Sequence, residues 1–276
     1  MIKCAASLAR DTKPRAVWEG LYGIVGLALA GTLVTGSALA ADMPMKAPAG
    51  PAYQWSGCYL GVNVGGGESG TNFGSAVDPG TYLAAGDAAT VAGSGRGGAN
   101  ADGILAGAQA GCNFQSGTLV YGLEGDFDYF HTNPQFNNNT NTLANGNAFA
   151  ISQSLTTNFL ATVRPRIGIA ADRNLAYITG GAAFTGVSYA TSYVDANTPP
   201  GTGTASASRS LVGWTAGAGW EYAWADHWTV RAEYLLACFP TTNALGTIAG
   251  AGGTNTLHGS TDLVIQIVRA GVNFKF

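Results

Sequence analysis

Charge is scarce in this chain. Only 11% of its 276 residues are Asp, Glu, Lys or Arg, less than half the usual share for a soluble domain. With 10% aromatics, so little charge excludes a disordered, self-repelling chain. Histidine is scarcer still, and His131, His227 and His258 stand at no metal-ligand spacing. Four cysteines are too few for a disulfide-dense scaffold. The 41 glycines lack the every-third-residue period of a collagen helix. Glycine-rich, aromatic-rich and poor in helix formers, the composition favours strands and turns.

The first forty residues read as a targeting segment. Lys3, Arg10, Lys13 and Arg15 form a basic region, and Leu21–Ala40 is apolar and ends in Ala38-Leu39-Ala40, an A-x-A cleavage pattern. The stretch is long enough to span a membrane, but Gly and Thr interrupt it and its exit is small-residue. A cleaved signal peptide over 1–40 is therefore expected rather than an anchor. No Cys follows the cleavage point directly, which argues against a lipoprotein. Cleavage takes four of the 13 basic and two of the 16 acidic residues, leaving 9 against 14 and a net charge of −5. That sign argues against nucleic acid as a partner. Cys58, Cys112 and Cys238 remain, an odd number that describes no closed framework.

Residues 41–54 are rich in Pro and Ala, and an extended linker is expected there. From Trp55 onward the pattern has period two and repeats eight times. The predicted strands are 55–65, 103–115, 119–129, 155–170, 175–185, 211–224, 228–236 and 262–276. The fifth is ambiguous, because Tyr177 and Ile178 compete for one face. Short connections at 116–117, 172–173 and 225–227 alternate with long ones at 67–102, 130–154, 186–210 and 237–261. Long unstructured loops are unusual in a compact soluble domain. Alternation of short and long connections is the habit of outer-membrane barrels, with turns on the periplasmic side. The fold class expected is all-β: an eight-stranded antiparallel up-and-down transmembrane barrel, residues 55–276, with long extracellular loops.

The two faces of the strands differ in kind. One carries Trp, Val, Ile and Phe; the other carries Glu124, Asp126, Asp128, Glu221 and Glu233 with Arg164, Arg166, Arg231, Arg269 and Lys275. In a bilayer the apolar face needs no partner sheet, provided no strand edge is left open. The terminal strand must then pair with the first. Five acids and five bases would fill an interior just wide enough for side chains. The set reads either as a salt-bridged plug or as a polar path for small solutes, with the plug favoured. Trp224 and Trp228, with Phe274 and Phe276, are placed as the periplasmic aromatic girdle. A turn at Asp226 pairs Glu221 with Arg231; a turn between Ser116 and Gly117 pairs Gln109 with Glu124 and Cys112 with Tyr121. A soluble β-sandwich is the ordinary alternative.

The segments "WSGCYLGVNVGGG", "GAQAGCNFQSGTLVYGLEGDFDY", "TVRPRIGIA", "VGWTAGAGWEYAW", "WTVRAEYL" and "VRAGVNFKF" resemble the alphaproteobacterial outer-membrane immunogenic proteins. These belong to the porin-like, OmpA-type superfamily of eight-stranded barrels. The resemblance runs from the signal peptide to the last residue, with the long connections dissimilar. It implies localisation in the Gram-negative outer membrane, with membrane lipid and the outer-membrane assembly machinery as partners. Val272, Phe274 and Phe276 would be the assembly signal. Family members are described as surface antigens and porins, and some are linked to haem uptake. A non-enzymatic envelope scaffold and surface antigen with limited small-solute passage is therefore expected, without cofactor. A receptor or adhesin whose loops bind haem or host molecules is the alternative, and a second copy of the chain is a further candidate partner. Two departures stand out. Cys58 and Cys112 replace family aromatics on neighbouring strands, as a cross-strand disulfide or as two inert thiols. Pro165 replaces a glycine, and a bulge is expected there.

Gly65, Gly67 and Gly70 match a dinucleotide-binding string, but no helical pattern follows and the match is assigned to chance. Asp126 and Asp128 share a face as catalytic carboxylates can; facing arginines make them a structural pair instead.

Overall fold

Alternation with period two becomes nine antiparallel strands in the computed structural model, which describes residues 53–276. The expected signal peptide, and the expected linker up to residue 52, lie outside the described residues. The strands are β1 (Gly57–Val77), β2 (Gly97–Ser116), β3 (Leu119–Thr132), β4 (Gln135–Thr142), β5 (Ala148–Ala171), β6 (Asn174–Asp195), β7 (Thr202–Ala223), β8 (Trp228–Gly250) and β9 (Gly253–Lys275). One helix, α1 (Ala85–Ser94), lies between β1 and β2.

The sheet closes on itself. β1 pairs with both β2 and β9, and β3 pairs with β5. β4 continues the place of β3: β3 runs along β5 as far as Thr132↔Thr157, and β4 takes over at Gln135↔Ser154. Pro134 makes the break, since it has no N–H for a ladder; its carbonyl accepts from the Leu155 amide at 3.1 Å. Nine strands thus fill an eight-membered ring. Through the half nearer the short turns no edge is left open, which is the condition for crossing lipid. The last residue finishes the seam: the Phe276 amide donates to the Cys58 carbonyl at 3.1 Å.

Three turns and both ends of the described chain lie at one end of the ring. Ala171↔Asn174 is closed by Asp172 and Arg173, with Asp172 at φ 51°. Glu221 pairs with Arg231 and Tyr222 with Val230, as the turn at Asp226 requires. The β2–β3 turn differs from expectation. Ser116 pairs with Leu119, so Gly117 and Thr118 form a two-residue loop, and Gln109 faces Asp126 while Cys112 faces Leu123. Gly117, at φ 61°, supplies the left-handed position such a loop needs. The offset from the expected register is two residues, so every side chain keeps its face.

At the other end the expected loops are largely strand. β5 has 24 residues, while roughly 9–11 suffice to cross a bilayer. The connections shrink to 78–96, 143–147 and 196–201, and β8–β9 is a tight hairpin in which Gly250 pairs with Gly253.

The faces invert along the strands. In the half nearer the short turns, outward positions are apolar and open, with Val62 63% and Ile104 79% exposed, and inward positions are ionic and buried. In the far half the outward residues become small and polar, such as Asp102, Asn158, Ser188 and Ser208, while Leu105, Phe130, Leu155, Val187 and Ile265 turn inward into one apolar core. The first half is built for lipid and the second for water. α1 packs Ala88 and Val91 onto that apolar core, and its end is closed by the Gly95 amide on the Val91 carbonyl.

Pro165 carries no bulge. β5 keeps one register with β3 through Leu123↔Pro165, and its register with β6 is the same at Val163↔Ala182 and Arg166↔Thr179. The bulge in β5 lies between Thr157 and Leu160. It flips the parity there, and Asn158 faces outward. In β6, Tyr177 faces in and Ile178 out.

Candidate functional site

Nine of the ten expected lumen charges meet in one buried layer in the half nearer the short turns. β3 supplies Glu124, Asp126 and Asp128 at alternate, inward positions; β5 supplies Arg164 and Arg166; β7 supplies Glu221; β8 supplies Arg231 and Glu233; β9 supplies Arg269. Period two on a closed ring is what brings them together, since each occupies the inward face of its own strand.

Arg164 is fully buried and holds three acids at once: Glu124 at 2.8 Å, Asp126 at 2.9 Å and Glu233 at 3.0 Å. Arg269 binds Asp128 at 2.6 Å and Glu233 at 2.6 Å. Arg166 joins Glu221 at 2.7 Å, and Arg231 joins Glu124 at 2.5 Å. β5 and β8 are not neighbours in the ring, and neither are β9 and β3. The Arg164–Glu233, Arg269–Asp128, Arg166–Glu221 and Arg231–Glu124 bonds therefore cross the lumen rather than run along the wall.

Uncharged side chains complete the layer. The Tyr59 hydroxyl donates to Glu124 at 2.5 Å and Tyr177 to Glu233 at 3.1 Å. The Arg166 guanidinium stacks 4.1 Å from the Tyr177 ring centroid. An amide chain crosses beside it: Asn63 donates to Gln109, Gln109 to Asn273 and Asn273 to Glu221. Buried ions are tolerated only when paired and hydrogen-bonded in this way.

Lys275 stands apart from the network. It is half-buried at the periplasmic mouth, with its ammonium 4.4 Å from the centroid of the Tyr53 ring. Five acids thus face four arginines inside, where the sequence suggested five and five. Sequence reasoning missed a second layer at that mouth. Tyr53 and Trp55 are buried, and their rings meet edge-on at 5.0 Å. The Trp55 indole donates to the Asp172 carbonyl at 3.1 Å and its amide to Gln115 at 2.7 Å. Trp55 was expected to open the first strand; it lies inside instead, two residues ahead of β1. Packing against Val120, Ala170, Leu175, Tyr177 and Ala223 caps the lumen.

The outward residues fall as a belt. Trp224 is 71% exposed, and Trp228, Val272, Phe274 and Phe276 are open on the same outer surface at the periplasmic end. Trp228 and Phe274 pack edge-on at 5.1 Å. Cys58 and Cys112 lie directly opposite one another on β1 and β2 and are joined as a disulfide.

The far end of the barrel is stitched by one carboxylate. Asp195 accepts from the hydroxyls of Tyr82 at 2.6 Å and Tyr193 at 2.9 Å, and from the amides of Asn197 and Gly201. Burial pushes its carboxyl up, but these hydrogen bonds outweigh burial and hold it below the usual carboxylate range.

The family model described as "Outer membrane protein beta-barrel domain" matches residues 27–276. The 31 kDa outer-membrane immunogenic protein of Brucella melitensis biotype 1 is 29% identical over 251 residues, covering 87% of this chain and 94% of that protein. The 25 kDa outer-membrane immunogenic protein of Brucella canis is 27% identical over 254 residues, covering 91% and 93%. Among solved structures, OprG from Pseudomonas aeruginosa is 11% identical, covering 81% of this chain and 99% of that one with a TM-score of 0.37. A closed strand ring, an apolar outer belt around an ionic interior and a match over nearly the whole chain agree, and the chain belongs to the outer-membrane β-barrel family of Gram-negative envelopes.

Proposed function

We propose that this protein is a sealed structural barrel of the outer membrane, a non-catalytic scaffold that holds polar strand ends and α1 at the cell surface as an antigen. The observation that carries the reading is the bonding of Arg164 on β5 to Glu233 on β8 across the lumen, within a layer that is buried throughout. An aromatic cap lies on the periplasmic side of that layer and an apolar core on the other. A hydrated solute would have to part ion pairs whose loss costs about 3–5 kcal/mol each and then cross an apolar core. The surface-antigen role draws on the names of the Brucella relatives, which are called immunogenic.

Planar-bilayer recording of the refolded protein tests the sealing. The wild type is expected to give no steady unitary current, and Arg164→Ala is expected to raise ion leak. Discrete ohmic channels in the wild type, unaltered by Arg164→Ala or Glu124→Ala, would overturn it.

A further inference from the structure

The β5–β6 ladder skips two pairs in the middle of the lipid-facing wall. Val163 pairs with Ala182 and the next pair is Arg166 with Thr179, so Pro165 and Gly180 face each other without a ladder bond. Pro165 has no N–H to offer. Its carbonyl is satisfied instead by the Thr179 hydroxyl at 3.0 Å. On the outer surface the same place is a depression. An open groove of about 670 Å³ is lined by Phe114, Tyr121, Leu123, Pro165, Ile178 and Gly180 among others, within the range of roughly 300–1,000 Å³ typical of small-ligand sites. Gly180 leaves its floor bare, and Phe114 and Tyr121, stacked at 5.8 Å, form the wall nearer the β2–β3 turn.

We propose that this groove binds one acyl chain of a phospholipid in the periplasmic leaflet of the outer membrane. The groove is continuous with the outward apolar belt, so hydrocarbon is the medium that meets it. Its one ionic lining residue, Arg166, sends its guanidinium inward to Glu221 and Tyr59. The β2–β3 turn at the Phe114–Tyr121 end, Gly117 and Thr118, carries no charge, and in the β5–β6 turn Arg173 is engaged by the Ala223 carbonyl and Asp226. The chain is therefore recognised and the headgroup is not. A smooth wall touches an acyl chain on one side; a groove surrounds it, and each added contact at van der Waals distance adds dispersion. A second barrel would need a contact of roughly 1,200–2,000 Å², a larger and flatter face than this depression offers.

Native mass spectrometry of the protein released from palmitoyl-oleoyl phosphatidylglycerol nanodiscs tests the proposal. One retained phospholipid per barrel is expected. Gly180→Leu fills the floor from outside; a Cβ there meets the Thr215 carbonyl at 3.2 Å, a small adjustment. It is expected to lower the retained fraction at least threefold, while Val62→Leu, on the belt away from the groove, leaves it unchanged. Exchanging phosphatidylglycerol for phosphatidylethanolamine with the same chains is expected to change nothing. If Gly180→Leu does not fold by heat-modifiable gel mobility, Ile178→Trp closes the groove from its wall and carries the same expectation. Retention equal to wild type in a folded groove-filled variant, retention that follows the headgroup, or loss of a barrel dimer in place of a lipid would overturn the proposal.

Discussion

Arg164 on β5 and Glu233 on β8 bind across the lumen at 3.0 Å, and both are buried. Each also serves other partners: Arg164 holds Glu124 and Asp126, and Glu233 holds Arg269. Removing either end leaves charge buried without its counter-ion, which is what makes such a pair expensive to break.

Glu233→Ala is expected to destabilise the barrel by about 3–5 kcal/mol, read as a lower urea midpoint for the refolded protein in micelles. In a cycle with Arg164→Met, the pair is expected to show a coupling of about 1 kcal/mol or more. Strict additivity of the two changes would mean that the contact contributes nothing.

The Cys58–Cys112 disulfide spans a sequence separation of 54. By chain-entropy reasoning such a link stabilises by about 2–4 kcal/mol. Replacing both residues by Ser is expected to lower stability by that amount and to leave the β1–β2 register intact, since 17 residue pairs hold it. Unfolding curves of the wild type and the double variant, both recorded without reductant, check it.

Alternation made the faces and the ring legible. Glu221↔Arg231, Tyr222↔Val230 and the outward Trp224 and Trp228 follow from period two and one turn position. Other features were hidden for physical reasons. The upper half of β6, through Ser188 and Ser192, is built from small polar residues on its outer face because water lies there, and that composition is also the composition of loops. The bulge at Asn158–Phe159 leaves no mark of its own in the sequence, while Pro165 suggests one that the register shows to be absent. Tyr53 and Trp55 read as linker and strand start; only the closed ring shows a mouth for them to fill. Lys275 shares the inward parity of Arg269 and Asn273, yet it lies at the rim, where the ring opens to water.

Trp55→Ala is expected to empty the periplasmic cap. Large buried aromatics cost about 3–5 kcal/mol on truncation, and the indole's hydrogen bond to Asp172 is lost with it. Limited proteolysis should then cut near residue 55 faster than in the wild type, with the barrel core still protected. Equal cutting rates would show that the cap is not held.

Asp195 sets an acid sensitivity at the far end. Its carboxyl lies below the usual value of 3.8 in the folded protein, so its contribution is complete above the unfolded value and is lost as pH falls below 3.8 through the folded one. Hydrogen-exchange protection factors of the 196–201 connection and of Tyr82, referred to the intrinsic rate at each pH, are expected to fall in that window, and Asp195→Asn is expected to bring the lower protection to neutral pH. Protection factors that stay constant from pH 5 to pH 2.5 would contradict the latch.

The inversion of the strand faces underlies both the sealing and the lipid groove. Spin labels at Val62, Val230, Ser188 and Ser208, compared in oxygen and in a water-soluble nickel chelate, test it most directly in the refolded protein in bilayers. Val62 and Val230 are expected to relax with oxygen and be shielded from nickel, and Ser188 and Ser208 the reverse. Nickel contact at Val62 and Val230 with oxygen enrichment at the serines would contradict the account.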